Sequence, residues 1–152
     1  MVVRPRANIV EWSGGCEVLR AGLKGKEQMV DTKILIADDE ANIRLMVLRM
    51  LGRDYTILEA ADGEEAVKLT RLHKPSLVLM DIMMPGKDGY SACHEIKMDP
   101  QTKSIPVVMV SAIGHKLNER LSADVGADGY ITKPFSVEGL LEVVDKFVPS
   151  SA

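Results

Sequence analysis

The chain has 152 residues, 46% hydrophobic and 27% charged, which is enough apolar material for one folded domain and unlike a disordered or fibrous composition. The net charge is -3, and residues 29–152 hold 14 Lys/Arg against 19 Asp/Glu, an acidic body that argues against non-specific nucleic-acid binding. Two cysteines, Cys16 and Cys93, with no metal-ligand spacing, and no apolar run near the about 20 residues of a membrane span, point to a cytoplasmic protein that is neither exported nor inserted.

Residues 1–28 carry four glycines, the only Trp (Trp12) and no sustained periodicity. They are expected to be an N-terminal extension, flexible or non-native, because Met29 opens MVDTKILIADDE as a natural start before the first strand. Strands are predicted at Lys33–Ala37, Tyr55–Glu59, Leu77–Asp81, Pro106–Ser111 and Gly129–Thr132. Several are apolar at every position, the mark of a strand covered on both faces. The intervening helices show buried-face spacing. The first sets Ile43, Met46, Val47, Met50 and Leu51 on one side and stops at Gly52. The second starts at an Asp62 cap with Glu65 three residues on, turns Ala66, Leu69 and Leu72 inward and stops at Pro75. The third covers about Gly89 to Met98, the fourth about Lys116 to Val125 and the fifth about Val137 to Phe147. Five strand–helix units with short links predict a doubly wound, flavodoxin-like parallel α/β sheet, ordered 2-1-3-4-5, with five helices.

In such a sheet the functional groups gather at the carboxyl ends of the strands. Those ends carry Asp38 and Asp39 after the first strand, Asp81 after the third, Ser111 after the fourth and Lys133 after the fifth. Nothing functional stands out after the second, where Glu59 leads through two alanines to Asp62. Three neighbouring carboxylates repel one another unless a cation neutralises them, and hard oxygen donors suit Mg²⁺. A lysine and a serine hydroxyl opposite could meet phosphoryl oxygens, so the set suits phosphoryl transfer to a carboxylate. Taken alone, Asp39 reads sooner as a cap for the first helix than as a metal ligand, and it can be both, with Glu40 facing solvent in the first turn. Asp81, inside an apolar run, is costly without a function. His73, His94 and His115 lack ligand spacing and read as surface residues.

Four pieces in order, ILIADDE, LVLMDIMMPGKDGY, IPVVMVSA and GADGYITKPF, make residues 32–148 resemble a receiver domain of two-component response regulators, with 149–152 a short tail. The resemblance implies that Asp81 is the aspartate phosphorylated by a sensor histidine kinase or histidine phosphotransfer protein. It implies Mg²⁺ held by Asp39, Asp81 and the backbone carbonyl of Met83, with Asp38 acting through water. It implies that Lys133 pairs with Asp81 and then with the phosphoryl group, that Ser111 and Tyr130 rearrange as the switch, and that the Lys133–Pro134 bond is cis. In the family the positions two after the acceptor and two after the hydroxyl line the path of hydrolytic water; the resemblance places Met83 and Ile113 there, both apolar, and so implies slow to moderate self-dephosphorylation. With no output domain after Phe147, the effect is expected in trans on a protein target, through the fourth helix, fifth strand and fifth helix. A receiver cut from a longer regulator would look the same. A haloacid-dehalogenase-type phosphatase would need a second acid that Asp81-Ile82-Met83-Met84-Pro85 lacks, a flavin carrier would need a phosphate loop where DDE stands, and a metal-free pseudo-receiver is the remaining alternative.

Overall fold

The structure is a computed structural model that describes residues 32–112 and 116–148, with backbone alone for 116–118. The chain alternates β1 (Lys33–Ala37), α1 (Ala41–Leu51), β2 (Thr56–Ala60), α2 (Gly63–His73), β3 (Leu77–Asp81), α3 (Gly89–Met98), β4 (Val107–Ser111), α4 (Lys116–Asp124), β5 (Gly129–Thr132) and α5 (Val137–Phe147). The five strands form one parallel sheet in the order β2-β1-β3-β4-β5, the predicted topology.

Alternation along the strands builds two cores. Leu35, Ala37, Val78, Met80, Val107 and Met109 face one way and pack with Ala66 and Val67 of α2 and Ala92, Cys93 and Ile96 of α3. Ile34, Ile36, Leu77, Leu79, Val108 and Val110 face the other way, against Val47 and Leu51 of α1 and Leu140 and Val144 of α5. β3 and β4 lie inside the sheet and are buried at every residue. Each large apolar side chain so buried contributes about 1.5–3 kcal/mol, ample to offset the cost of holding a single carboxylate, Asp81, at the end of the central strand.

Three local readings change. β2 is Thr56–Ala60, one residue later than expected, because the register with β1 runs from Lys33↔Thr56 to Ala37↔Ala60. Pro106 lies outside β4 and uses only its carbonyl, which accepts from Val78 N–H at 2.9 Å. Leu72, expected on the inward face of α2, is 68% exposed, since Ala66, Val67 and Thr70 form the buried stripe. The caps of α2 and α3 are built locally: Asp62 accepts from Glu65 N–H and Asp88 from Ser91 N–H. The reading of residues 1–28 lies outside the described residues.

Candidate functional site

Parallel pairing lays the carboxyl ends of β1, β3, β4 and β5 side by side. Ala37 is in register with Met80, Asp81 with Val110, and Ser111 with Thr132, so the residues that follow these strands meet along one edge. Asp38, Asp39 and Asp81 come together there, each offering a carboxylate oxygen, all within 4.8 Å of one another. Asp38 and Asp81 are buried, while Asp39 is exposed and leaves the cluster open to solvent.

Lys133 enters this group from the end of β5. Its Nζ lies 2.8 Å from Asp38 Oδ2, 3.3 Å from Asp81 Oδ1 and 3.7 Å from Glu40 Oε1. The expectation of a Lys133–Asp81 pair therefore holds, but Asp38 is the nearer partner. The Lys133 N–H donates to the Ser111 carbonyl at 2.6 Å, fixing the lysine beside the end of β4, and the Lys133–Pro134 peptide is cis. Ser111 is buried at that strand end, and Tyr130 is half-buried against the core under α2 and α3.

Electrostatics follow from the crowding. Burial, then the charge of Asp38, lifts the Asp81 carboxyl to about 6, against the opposing pull of Lys133. Burial works against a charge on Lys133, but its close pairing with Asp38 and the charge of Asp81 outweigh that and raise its pKa. One lysine thus serves a cluster of three acids. Asp38 Oδ2 is fully buried and accepts no hydrogen bond of regular geometry, meeting the ammonium only as an ion pair. An all-oxygen donor set with excess negative charge and a buried oxygen short of partners fits a hard divalent cation such as Mg²⁺.

The loop after β3 shapes the other wall. Ile82 and Met84 are buried as anchors, while the side chain of Met83 between them is 78% exposed. Gly89 N–H donates to the Ile82 carbonyl and Gly63 N–H to the Lys87 carbonyl, tying the loop to its own strand and to α2. Lys87 adds ion pairs with Glu95 and Glu64. Ile113 and His115 fall outside the described residues; His94 is exposed, and His73 is half-buried.

One expectation for the acidic turn is corrected. Asp39 does not cap α1: the helix starts at Ala41, so Glu40 holds the cap position, with extended backbone and no side-chain cap bond. Glu40 faces solvent as expected, its side chain 66% exposed, with its carboxylate 3.7 Å from the Lys133 ammonium. Sequence reasoning also missed Arg44 and Glu59. Arg44 Nη1 donates to the Asp38 carbonyl at 2.7 Å and its Nε to Glu59 Oε1 at 3.1 Å. An arginine one turn into the helix after the acids was the available signal.

The model of the response regulator receiver domain family matches residues 34–145. A probable transcriptional regulator, ycf27, of Cyanophora paradoxa is 41% identical over 111 residues, 71% of this chain and 44% of that protein. Transcriptional regulatory protein PdtaR of Mycobacterium tuberculosis is 41% identical over 118 residues, 76% of this chain and 56% of its own. The chain thus spans about half the length of these curated relatives. Among solved structures, the chemotaxis protein CheY4 of Vibrio cholerae aligns with a TM-score of 0.74 at 29% identity, over 78% of this chain and 100% of that one.

Proposed function

The chain belongs to the response regulator receiver family, and from that premise we propose that it is a phosphoacceptor module of a two-component or phosphorelay system, with Asp81 as the acceptor. The observation that carries this reading is the Lys133 ammonium between Asp38 and Asp81, at 2.8 and 3.3 Å, beside a cluster of three carboxylates. An Asp81 carboxylate oxygen attacks the phosphorus of a phosphohistidine on a sensor kinase or phosphotransfer protein. The phosphorus–nitrogen bond breaks and the imidazole keeps the electron pair. With its pKa near 6, Asp81 is mostly ionised at neutral pH and so able to attack.

Asp39, Asp81 and the Met83 carbonyl would hold Mg²⁺, with Asp38 acting through water, and the ion would offset the repulsion between the acids and the incoming phosphoryl group. Lys133 then exchanges its contact with Asp81 for a phosphoryl oxygen, and the Ser111 hydroxyl donates to another. Tyr130 turns inward as Ser111 moves, shifting the population of the α4–β5–α5 surface toward a form that a protein target binds in trans. The half-exposed Leu121, Val137 and Leu141 of α4 and α5 support protein recognition there. In this reading the receiver works in the cytoplasm and touches protein rather than nucleic acid, in keeping with its acidic balance. Apolar Met83 and Ile113 orient no hydrolytic water, and a phosphoryl half-life of only seconds would contradict that assignment.

Incubation with Mg²⁺ and acetyl phosphate or phosphoramidate, followed by intact mass, tests the proposal. Wild type should gain one phosphoryl group per chain and Asp81→Asn none. Equal uptake by both would sink it. Among the described residues no helix is long and apolar enough to cross a membrane.

A further inference from the structure

We propose that Arg44 is a positioning residue that locks the acidic turn of the site, with Glu59 as its anchor; the inference rests on the cation-site reading above. Asp38 is held at three of its atoms. Its N–H donates to the Ala60 carbonyl at 3.0 Å, its Oδ1 accepts from Glu40 N–H at 2.9 Å, and its carbonyl accepts from Arg44 Nη1 at 2.7 Å. Only Oδ2 is left over, and it faces Lys133.

The guanidinium closes a ring. Arg44 Nε reaches Glu59 Oε1 at 3.1 Å, Glu59 is followed by Ala60, and the Ala60 carbonyl returns to Asp38 N–H. The ring ties α1 and the end of β2 to the turn that carries Asp38 and Asp39. It also stands in for a missing device. The first turn of α1 has no side-chain cap at Glu40, so the helix start lacks the usual capping bond to the turn before it. A planar guanidinium can fork between two acceptors at fixed angles, which an ammonium cannot do. The Arg44 side chain is only 19% exposed, so the fork is sheltered from competing water although Glu59 is 43% exposed.

Groups that orient metal-binding side chains typically contribute 10–100-fold to metal affinity. The test is an NMR titration of the whole chain with Mg²⁺ alone, reading both the amide pattern of the fold and the dissociation constant. Arg44→Ala should weaken Mg²⁺ binding about tenfold or more. Arg44→Lys should fall between that variant and wild type, and Glu59→Gln, which keeps an acceptor, should bind more tightly than Glu59→Ala. Glu59→Ala should have little further effect in an Arg44→Ala background, because one device has already been broken. Arg49→Ala, an exposed change on the same helix, is the control expected to match wild type. If Arg44→Ala keeps both the native amide pattern and the wild-type affinity, or if the two changes add in full, the assignment is overturned. Should Arg44→Ala unfold, Arg44→Lys and Glu59→Ala decide the question by the same criterion. If wild type shows no saturable Mg²⁺ response, the cation site itself is refuted and the role of Arg44 with it.

Discussion

Lys133 pairs first with Asp38: Nζ stands 2.8 Å from an Oδ2 that is wholly buried. The lysine is thus the counter-charge that makes the acidic cluster tolerable as well as a group aimed at Asp81. Removing one partner of a buried pair leaves the other charge uncompensated, which costs far more than the about 0–1 kcal/mol of a surface pair. Lys133→Met should therefore lower the unfolding free energy in EDTA by about 2–4 kcal/mol, with Lys133→Met/Asp38→Asn recovering part of the loss. Urea denaturation of the single and double variants measures it. An unchanged Lys133→Met midpoint would show that the pair adds nothing to the fold.

A second prediction concerns pH. The Asp81 carboxyl sits at about 6 in the fold against an ordinary 3.8. Between those values the native state binds more protons than the unfolded chain, so stability falls as pH rises through the window. In EDTA, Asp81 should contribute a loss on the order of 2–3 kcal/mol between about pH 4 and 6. The Asp81→Asn protein should lack that slope and exceed wild type in stability at pH 7. Added Mg²⁺ favours the ionised carboxylate and should restore wild-type stability at neutral pH. Urea midpoints across pH, with and without Mg²⁺, check all three.

The sheet order and the convergence of Asp38, Asp39, Asp81 and Lys133 were legible because apolar runs and the residues ending them are local signals. The limits of β2 were not. Its burial is patchy along Thr56–Ala60, and pairing with β1, rather than anything in the segment, chooses its register. Leu72 looked inward because its spacing from Leu69 fits a helical stripe, yet the stripe that packs is set by Ala66, Val67 and Thr70. Arg44 and Glu59 escaped notice for a different reason. They are 15 residues apart, and a helical arginine or a strand-edge glutamate ordinarily faces water. Only the parallel pairing of β1 with β2 brings them to the same turn.

Cys93 should be chemically silent. It lies fully buried on the inner face of α3, its thiol 3.8 Å from the Val125 carbonyl, and burial pushes it up to about 12. Reactivity follows the thiolate, so almost none is present at pH 8. In a Cys16→Ser background, a thiol reagent such as dithionitrobenzoate should leave the native protein unlabelled and label it fully in urea. Rapid labelling without denaturant would show that α3 opens readily from the sheet.

The last prediction sets Gly86, in the loop after β3, against Gly89, the first residue of α3. A Cβ on Gly89 would fall 2.1 Å from the Asp81 carbonyl oxygen and 2.9 Å from Ile82 Cα, both backbone atoms that cannot swing away. Gly89→Ala must push α3 from the end of β3, where overpacking typically costs 1–3 kcal/mol, and must move Asp81 relative to Lys133 and Asp38. A Cβ on Gly86 would meet nothing within 4 Å, but its φ of +70° lies in the left-handed region, so Gly86→Ala incurs only the backbone penalty of about 1–2 kcal/mol. The two substitutions should therefore be close in stability and far apart in function. Gly86→Ala should retain phosphoryl uptake from acetyl phosphate within a few-fold of wild type, and Gly89→Ala should lose most of it. Urea denaturation gives the first comparison and intact mass the second. Equal uptake by both would mean that the contact of Gly89 with the strand end does not position the acceptor.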